Sequence, residues 1–384
     1  MKHTIFSKLL LVGLLALGFT ACKKDEPTTS PKKAVLENYV RIVFANYEDN
    51  YNAAKLLKDQ IDLFVANPTA TGLEACKQAW LTAREPYGQS EAFRFYGGPI
   101  DKKDGPEGLM NAWPIDENFI DYVQGGLDAG LINNVVQYPN ITKQLLRDLN
   151  ESFSEKSIFT GYHAIEFLLW GQDLSTTGPG ARPYTDYVTG AGGTAGNQAR
   201  RGQYLKVLGE LLLDNLAEIR DAWAPGSAYR TEFLENTTVE VALGHLFTSL
   251  GALSKGELSG ERMFVAIDTK DQENEHSCFS DNTINDIKDN FKGLKNVYFG
   301  TYTRTDGTVV SGESLASLAE TSAKAKGDLV KTTFTEAEQN IFAIPAPFDQ
   351  AILNSSDKIL AAITSLRTLS DRFADVGLAV GAKF

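Results

Sequence analysis

Apolar residues recur at three- and four-residue intervals along most of this chain, while the two-residue alternation of strands is nearly absent. Residues 35–65 carry Leu36, Val40, Val43 and Phe44, then Leu56, Leu57, Ile61 and Phe64, before Asn67 and Pro68 stop the run. A second helix fits residues 72–90, shorter ones fit 118–124 and 142–153, and another fits 159–170. Residues 203–223 form a strongly amphipathic run through Tyr204, Leu205, Leu208, Leu211, Leu212 and Leu216. Further helices fit 239–253, 283–299, 313–331 and 349–376, the second of these capped by Ser280, Asp281 and Asn282. This pattern predicts an all-α protein of two helix bundles packed together.

Two stretches interrupt the periodicity. Residues 96–114 are rich in glycine and proline, long for an unstructured connection, and make a candidate wall for a site. Residues 178–202 hold Gly178, Gly180, Gly190, Gly192, Gly193 and Gly196 and read as a connection between an N-terminal bundle, 35–177, and a C-terminal bundle, 203–384.

The first 21 residues read as a signal segment: Lys2 and Lys8 precede an apolar run from Leu9 to Phe19 that is short for a bilayer span. Leu17-Gly18-Phe19-Thr20-Ala21-Cys22 resembles a bacterial lipobox, so cleavage before Cys22 and its lipidation are expected. The polar residues 22–34 then form a tether. Lys23-Lys24-Asp25-Glu26 resembles an export signal that carries some Bacteroidota lipoproteins to the cell surface. The expected location is the outer membrane, facing the periplasm or the cell surface.

Processing removes two lysines and no acid, taking the formal charge from −12 to −14. That acidity argues against nucleic acid as a partner. Two cysteines remain after Cys22, Cys76 and Cys278, and two scattered cysteines in a chain this long are expected free and buried.

The chemistry concentrates in Gly161-Tyr162-His163-Ala164-Ile165-Glu166. His163 and Glu166 are three apart, so they share one face of a helix and can approach one atom. Imidazole and carboxylate suit zinc or iron. A pair is too few for a metal site, so a third ligand must come from elsewhere. His276 is the best candidate, whereas His245 reads as a core histidine. A His-x-x-Glu pair with a distant histidine also matches the ligand pattern of zinc carboxypeptidases, although those have an α/β fold. Two further polar clusters stand out. Arg84, Tyr87 and Glu91 share a helix side if Pro86 only kinks the helix, and Ser259-Gly260-Glu261-Arg262 leads to an acidic stretch ending at Asp281. Solvated salt bridges explain such clusters in general; a buried pair of arginines facing Glu166, Glu91 and Glu261 is the sharper alternative.

These segments together resemble the imelysin family, also called the insulin-cleaving membrane peptidases. The likeness rests on Gly161, His163 and Glu166, on Trp80, Arg84 and Glu91 followed by Gly98-Pro99-Ile100-Asp101, and on Ser259 to Arg262 with residues 275–281. It spans roughly residues 35–380. It implies two helical bundles with a site between them and a membrane-attached or periplasmic protein linked to iron acquisition. In related domains of iron-uptake systems the His-x-x-Glu pair is proposed to bind metal. The expected function is therefore a lipid-anchored binding protein with iron-uptake partners. Its pocket would hold His163, Glu166 and His276, ringed by Arg84, Glu91, Glu261, Arg262 and Asp281, and take iron, zinc or a small anion. The alternatives are a metallopeptidase with Glu91 or Glu261 as general base, and a scaffold lipoprotein in which the pair is a buried structural network.

Overall fold

A computed structural model of the chain describes residues 30–175 and 177–384. Cys22, the signal segment and most of the tether lie outside the described residues. Helices dominate. The first, α1, is Pro31–Ala66, started by the Ser30 side chain accepting from the Lys33 amide at 3.3 Å and ended at Asn67. α2, Ala70–Ser90, runs through Pro86, whose carbonyl accepts the side-chain amides of Asn46 and Asn50 at 3.1 and 3.2 Å and so ties α2 to α1. α3 is Gly161–Trp170 and α4 is Gln198–Ala222. α5, Val239–Ala252, continues without a break into a π-helical stretch, Leu253–Phe264. α6 is Thr283–Phe299, α7 Lys324–Phe342 and α8 Ser356–Ala379.

Two bundles form, as the periodicity predicts. α1 packs on α2 and α4, and α3 on α2 and α4; α8 packs on α5, the π stretch and α7. α6 joins them, lying against α2 on one side and the π stretch and α7 on the other. A single apolar core runs through both bundles. The packing moves the expected bundle boundary. α4 was assigned by pattern to the C-terminal half, but Leu205, Leu208 and Leu212 are buried on the α1 and α3 side, so the chain changes bundles between α4 and α5.

Other departures are local. The expected helix at 118–124 is a single 3-10 turn, Glu117–Phe119, and that at 142–153 is Lys143–Leu149. The run at 313–331 breaks at Ala323 into Leu315–Ser322 and α7. A small antiparallel hairpin, Thr301–Thr303 with Val309–Ser311, was not foreseen. Cys76 and Cys278 are free and buried.

Candidate functional site

α3 is buried along its whole length, which is unusual for a helix carrying ionisable groups. Its start is fixed by two close contacts. Gly161 has φ +87°, and a Cβ there would lie 2.5 Å from the Met110 carbonyl oxygen, so only glycine fits. The Trp80 indole of α2 donates to the Tyr162 carbonyl at 2.9 Å.

His163 and Glu166 meet as their spacing predicts, with Nδ1 to Oε2 at 2.8 Å. The other Glu166 oxygen accepts from the Ser280 amide and hydroxyl at 2.9 and 2.7 Å. On the far side of the ring, His163 Nε2 faces His276 Nε2 at 3.3 Å. His276 Nδ1 in turn lies 3.0 Å from Asp286 Oδ2 of α6. Asp286 also accepts from the Ser277 hydroxyl, from Asn282 at 3.2 Å and from Arg84 Nε at 3.2 Å. The Arg84 guanidinium sits among the rings of Trp80, Tyr87 and Tyr162, 5.1–5.6 Å from their centroids. The four acid–imidazole residues are sealed at the seam of the bundles, with His163 1%, Glu166 0%, His276 2% and Asp286 0% exposed.

The hydrogen bonds assign the protons. Arg84 donates to the Asn111 amide oxygen at 2.6 Å, which turns the Asn111 NH2 toward His276 Nε2 at 3.4 Å. His276 Nε2 is therefore an acceptor; Nδ1 is faced by Arg84 Nη2 at 3.4 Å and by Asp286 at 3.0 Å, and the nearer carboxylate takes the Nδ1 proton. His163 Nε2 must then donate, which leaves His163 Nδ1 accepting from a protonated Glu166. The electrostatics agree. Burial raises the Glu166 carboxyl to about 8, and burial with the neighbouring His276 holds His163 well below its usual value. Burial likewise lowers His276 to about 4. Burial opposes ionisation of Asp286, but Arg84, His276 and Ser277 outweigh it and hold its carboxyl well below the usual carboxylate range.

The family model described as Imelysin matches residues 43–373. This chain belongs to the imelysin family. It is 26% identical over 365 residues to iron-regulated protein A of Synechococcus elongatus, covering 92% of this chain and 87% of that protein. In fold it is similar to a protein described as an iron-regulated protein A precursor from Parabacteroides distasonis, with a TM-score of 0.71, 20% identity and coverage of 93% and 97% of the two chains. An imelysin-like protein from Psychrobacter arcticum is similar at a TM-score of 0.60 and 13% identity, covering 89% of this chain and 92% of that one.

Within this imelysin the sequence-predicted residues divide into three groups. His163, Glu166, His276 and Arg84 come together. Glu91 and Arg262 form a second buried cluster: Arg262 donates to Glu91 at 2.7 Å, to Glu257 at 3.1 Å and to Asn290, while Arg94 bridges Glu91 and Glu107 at 2.7 and 3.0 Å. Glu261 and Asp281 join neither. Glu261 is exposed, its side chain turned about a quarter-circle from that of the next residue Arg262, and the π-helical i to i+5 spacing stacks Glu257 beside Arg262 instead. Asp281 is half-buried in the left-handed region at φ +57°, and its electrostatic neighbours are Asp173 and Asp349 rather than the imidazoles. His245 stacks on Tyr96 at 5.1 Å, away from the pair, as a core ring.

Asp286, Asn111, Ser280 and Ser277 were missed by pattern. Asp286 carried a signal: with Asn290 four residues on, it forms a second buried line on α6 beside Ile284, Ile287, Phe291 and Leu294. Nor does a cleft open on the imidazoles, which are packed shut. A cavity of about 370 Å³ lies beyond the C-terminal end of α3 and is lined by Trp170, Arg182 and neighbours, not by His163 or Glu166.

Proposed function

We propose that this imelysin is a lipid-anchored envelope protein of iron acquisition in which the facing imidazoles of His163 and His276 hold a metal cation. One observation carries the reading: the two Nε2 atoms stand 3.3 Å apart. Two metal–nitrogen bonds of about 2.0–2.1 Å at a tetrahedral angle place nitrogens roughly 3.3–3.4 Å apart. Behind each ring an acid side chain, protonated Glu166 or ionised Asp286, bonds Nδ1, the second-layer arrangement that orients metal-binding imidazoles. Glu166 is thus a positioning residue for His163 rather than a ligand beside it.

The donor set is incomplete as it stands. Among the described residues no three His, Cys, Asp or Glu side chains converge as a metal site. A cation would take the two imidazoles and complete its shell with exogenous ligands, which suits a binding protein handling iron or zinc. The lipobox at Cys22 supports anchoring at the outer membrane, and the iron-regulated relative in Synechococcus elongatus supports the iron association.

Neither base named for the peptidase alternative suits the role. Glu261 is exposed and away from the pair. Burial disfavours the Glu91 carboxylate, but Arg94 and Arg262 together bring it down to about 2, too weakly basic for general-base work. Titration of the metal-stripped protein with Zn2+ and Fe2+ tests the proposal. One equivalent bound by wild type, and none by His163→Ala or His276→Ala, supports it. Equal binding by all three proteins refutes it.

A further inference from the structure

The cavity beyond α3 has no part in the imidazole cluster, yet it is the better-formed recess. Its volume of about 370 Å³ lies in the range of ligand-binding pockets. Trp170, the last residue of α3, forms its floor, and Tyr122, Leu127, Leu174, Pro179 and Pro183 its walls. Leu127 and Leu174 are 77% and 62% exposed, large apolar side chains left in water at the mouth. Gly171 and Gly180 let the wall close up, since a Cβ on Gly180 would lie 2.7 Å from the carbonyl oxygens of both Trp170 and Gly171.

Charge around this recess is one-sided. Arg182 in its wall is neutralised by Asp121 at 2.7 Å and by Asp186 at 3.4 Å. Asp173 lines the cavity, and Glu117 accepts from Gln172 of the same wall at 3.4 Å. Glu273 and Asp281 lie close enough to Asp173 for their carboxyls to be raised, burial contributing most, to about 7 and about 6. None of Glu117, Asp173, Glu273 and Asp281 forms an ion pair among the described residues. Beside them Glu275 Oε2 and Asp349 Oδ1, on residues 1% and 5% exposed, have no hydrogen-bond partner. The described residues supply an apolar recess with an acidic rim whose four carboxyls are without ion pairs; the nearby lysines are Lys156, which acts on Glu273 from a distance, and Lys77, whose Nζ lies over the Trp170 ring at 5.3 Å.

We infer that this recess is a docking site for a partner protein's segment that places an aromatic or aliphatic side chain on Trp170 and flanking Lys or Arg side chains on the Glu117–Asp173–Glu273 rim. Position and charge favour a protein over a lipid surface. The 36 residues of α1 span about 54 Å. Ser30 starts that helix; at its other end Val65 packs on Gly202 of α4, and Arg201 beside it bonds Asp121, next to Tyr122 of the wall. The recess therefore lies near the end of α1 opposite Ser30, and its acidic rim repels an anionic lipid surface while attracting a basic segment. The recess and its charge do not rest on the metal or anchoring reading above, so failure of one leaves the other standing.

The test is selection of a phage-displayed dodecapeptide library on the chain from residue 23 onward, against the same chain with Leu127→Asp and Leu174→Asp. Both sites are surface positions, and far-UV circular dichroism and the melting temperature confirm that the variant is folded. The expected result is enrichment, about tenfold or more over the variant, of sequences joining an apolar anchor to Lys or Arg. Synthetic versions should bind several-fold more weakly when salt rises from 50 to about 300 mM. The inference is overturned by absence of enrichment, by enrichment the variant matches, or by acidic consensus sequences. It is overturned equally if the wild-type face binds phosphatidylcholine–phosphatidylglycerol vesicles, or a second copy of the chain, in place of peptides.

Discussion

His163 Nε2 and His276 Nε2 face each other at 3.3 Å across the seam of the two bundles. Two neutral imidazoles can sit so only if one of them donates, and the Asn111 and Asp286 bonds to His276 make His163 the donor. That requirement reaches Glu166, whose proton completes the row. Exchange of glutamate for its neutral amide therefore separates position from charge.

Glu166→Gln is expected to change stability by no more than about 1 kcal/mol, because the amide can donate to His163 Nδ1 and accept from Ser280 as the protonated acid does. Glu166→Ala strands His163 Nδ1 and the Ser280 donors in a sealed space and is expected to cost roughly 2–4 kcal/mol. Urea unfolding of the two variants checks the difference; equal losses would contradict the proton assignment.

The same proton sets a pH dependence in the metal-free protein. Glu166 rises from its ordinary 4.5 to about 8 on folding. Between those values the folded chain holds a proton that the unfolded chain has lost, so stability falls as pH rises. The contribution is complete below about 4.5 and is lost through about 8. Stability of wild type minus that of Glu166→Gln should decline across this window with a slope near 1.4 kcal/mol per pH unit. A flat difference between pH 5 and about 8 would sink this.

Gly161→Ala tests the tight entry to α3. A methyl group there meets the Met110 carbonyl, and φ +87° is strained for alanine. A loss of roughly 2–3 kcal/mol is expected, read as a lower melting temperature. An unchanged melting temperature would show that the 107–111 segment yields freely.

Arg262 and Glu261 are neighbours in sequence with opposite fates. Arg262→Ala leaves Glu91 buried with one guanidinium in place of two, and a cost of about 3–5 kcal/mol is expected. Glu261→Gln alters a solvated side chain and is expected to shift stability by less than about 0.5 kcal/mol. Parallel thermal scans decide it, and a large effect at Glu261 would contradict its place in solvent.

The sequence pattern carried the helices whose apolar spacing is unbroken, α1, α2, α3 and α6, and it singled out His163, Glu166, His276 and Arg84, which the fold brings together. It failed where geometry departs from the α period. The π stretch brings Glu257, five residues back, beside Arg262, and three-residue strands are too short for alternation to register. It failed also at Asp286, because α6 is buried on two sides, and a polar line within a doubly buried helix reads as a solvated face. The expected cleft around the imidazoles was a matter of packing density, to which spacing is blind.

Anomalous diffraction from crystals grown with Zn2+ or Co2+ tests the central claim most directly. The account predicts one peak bonded to Nε2 of both His163 and His276, with Glu166 and Asp286 still on the opposite ring nitrogens, and its disappearance in His276→Ala. A metal bound by the Glu166 carboxylate, or bound elsewhere while the two rings keep their mutual hydrogen bond, would contradict it.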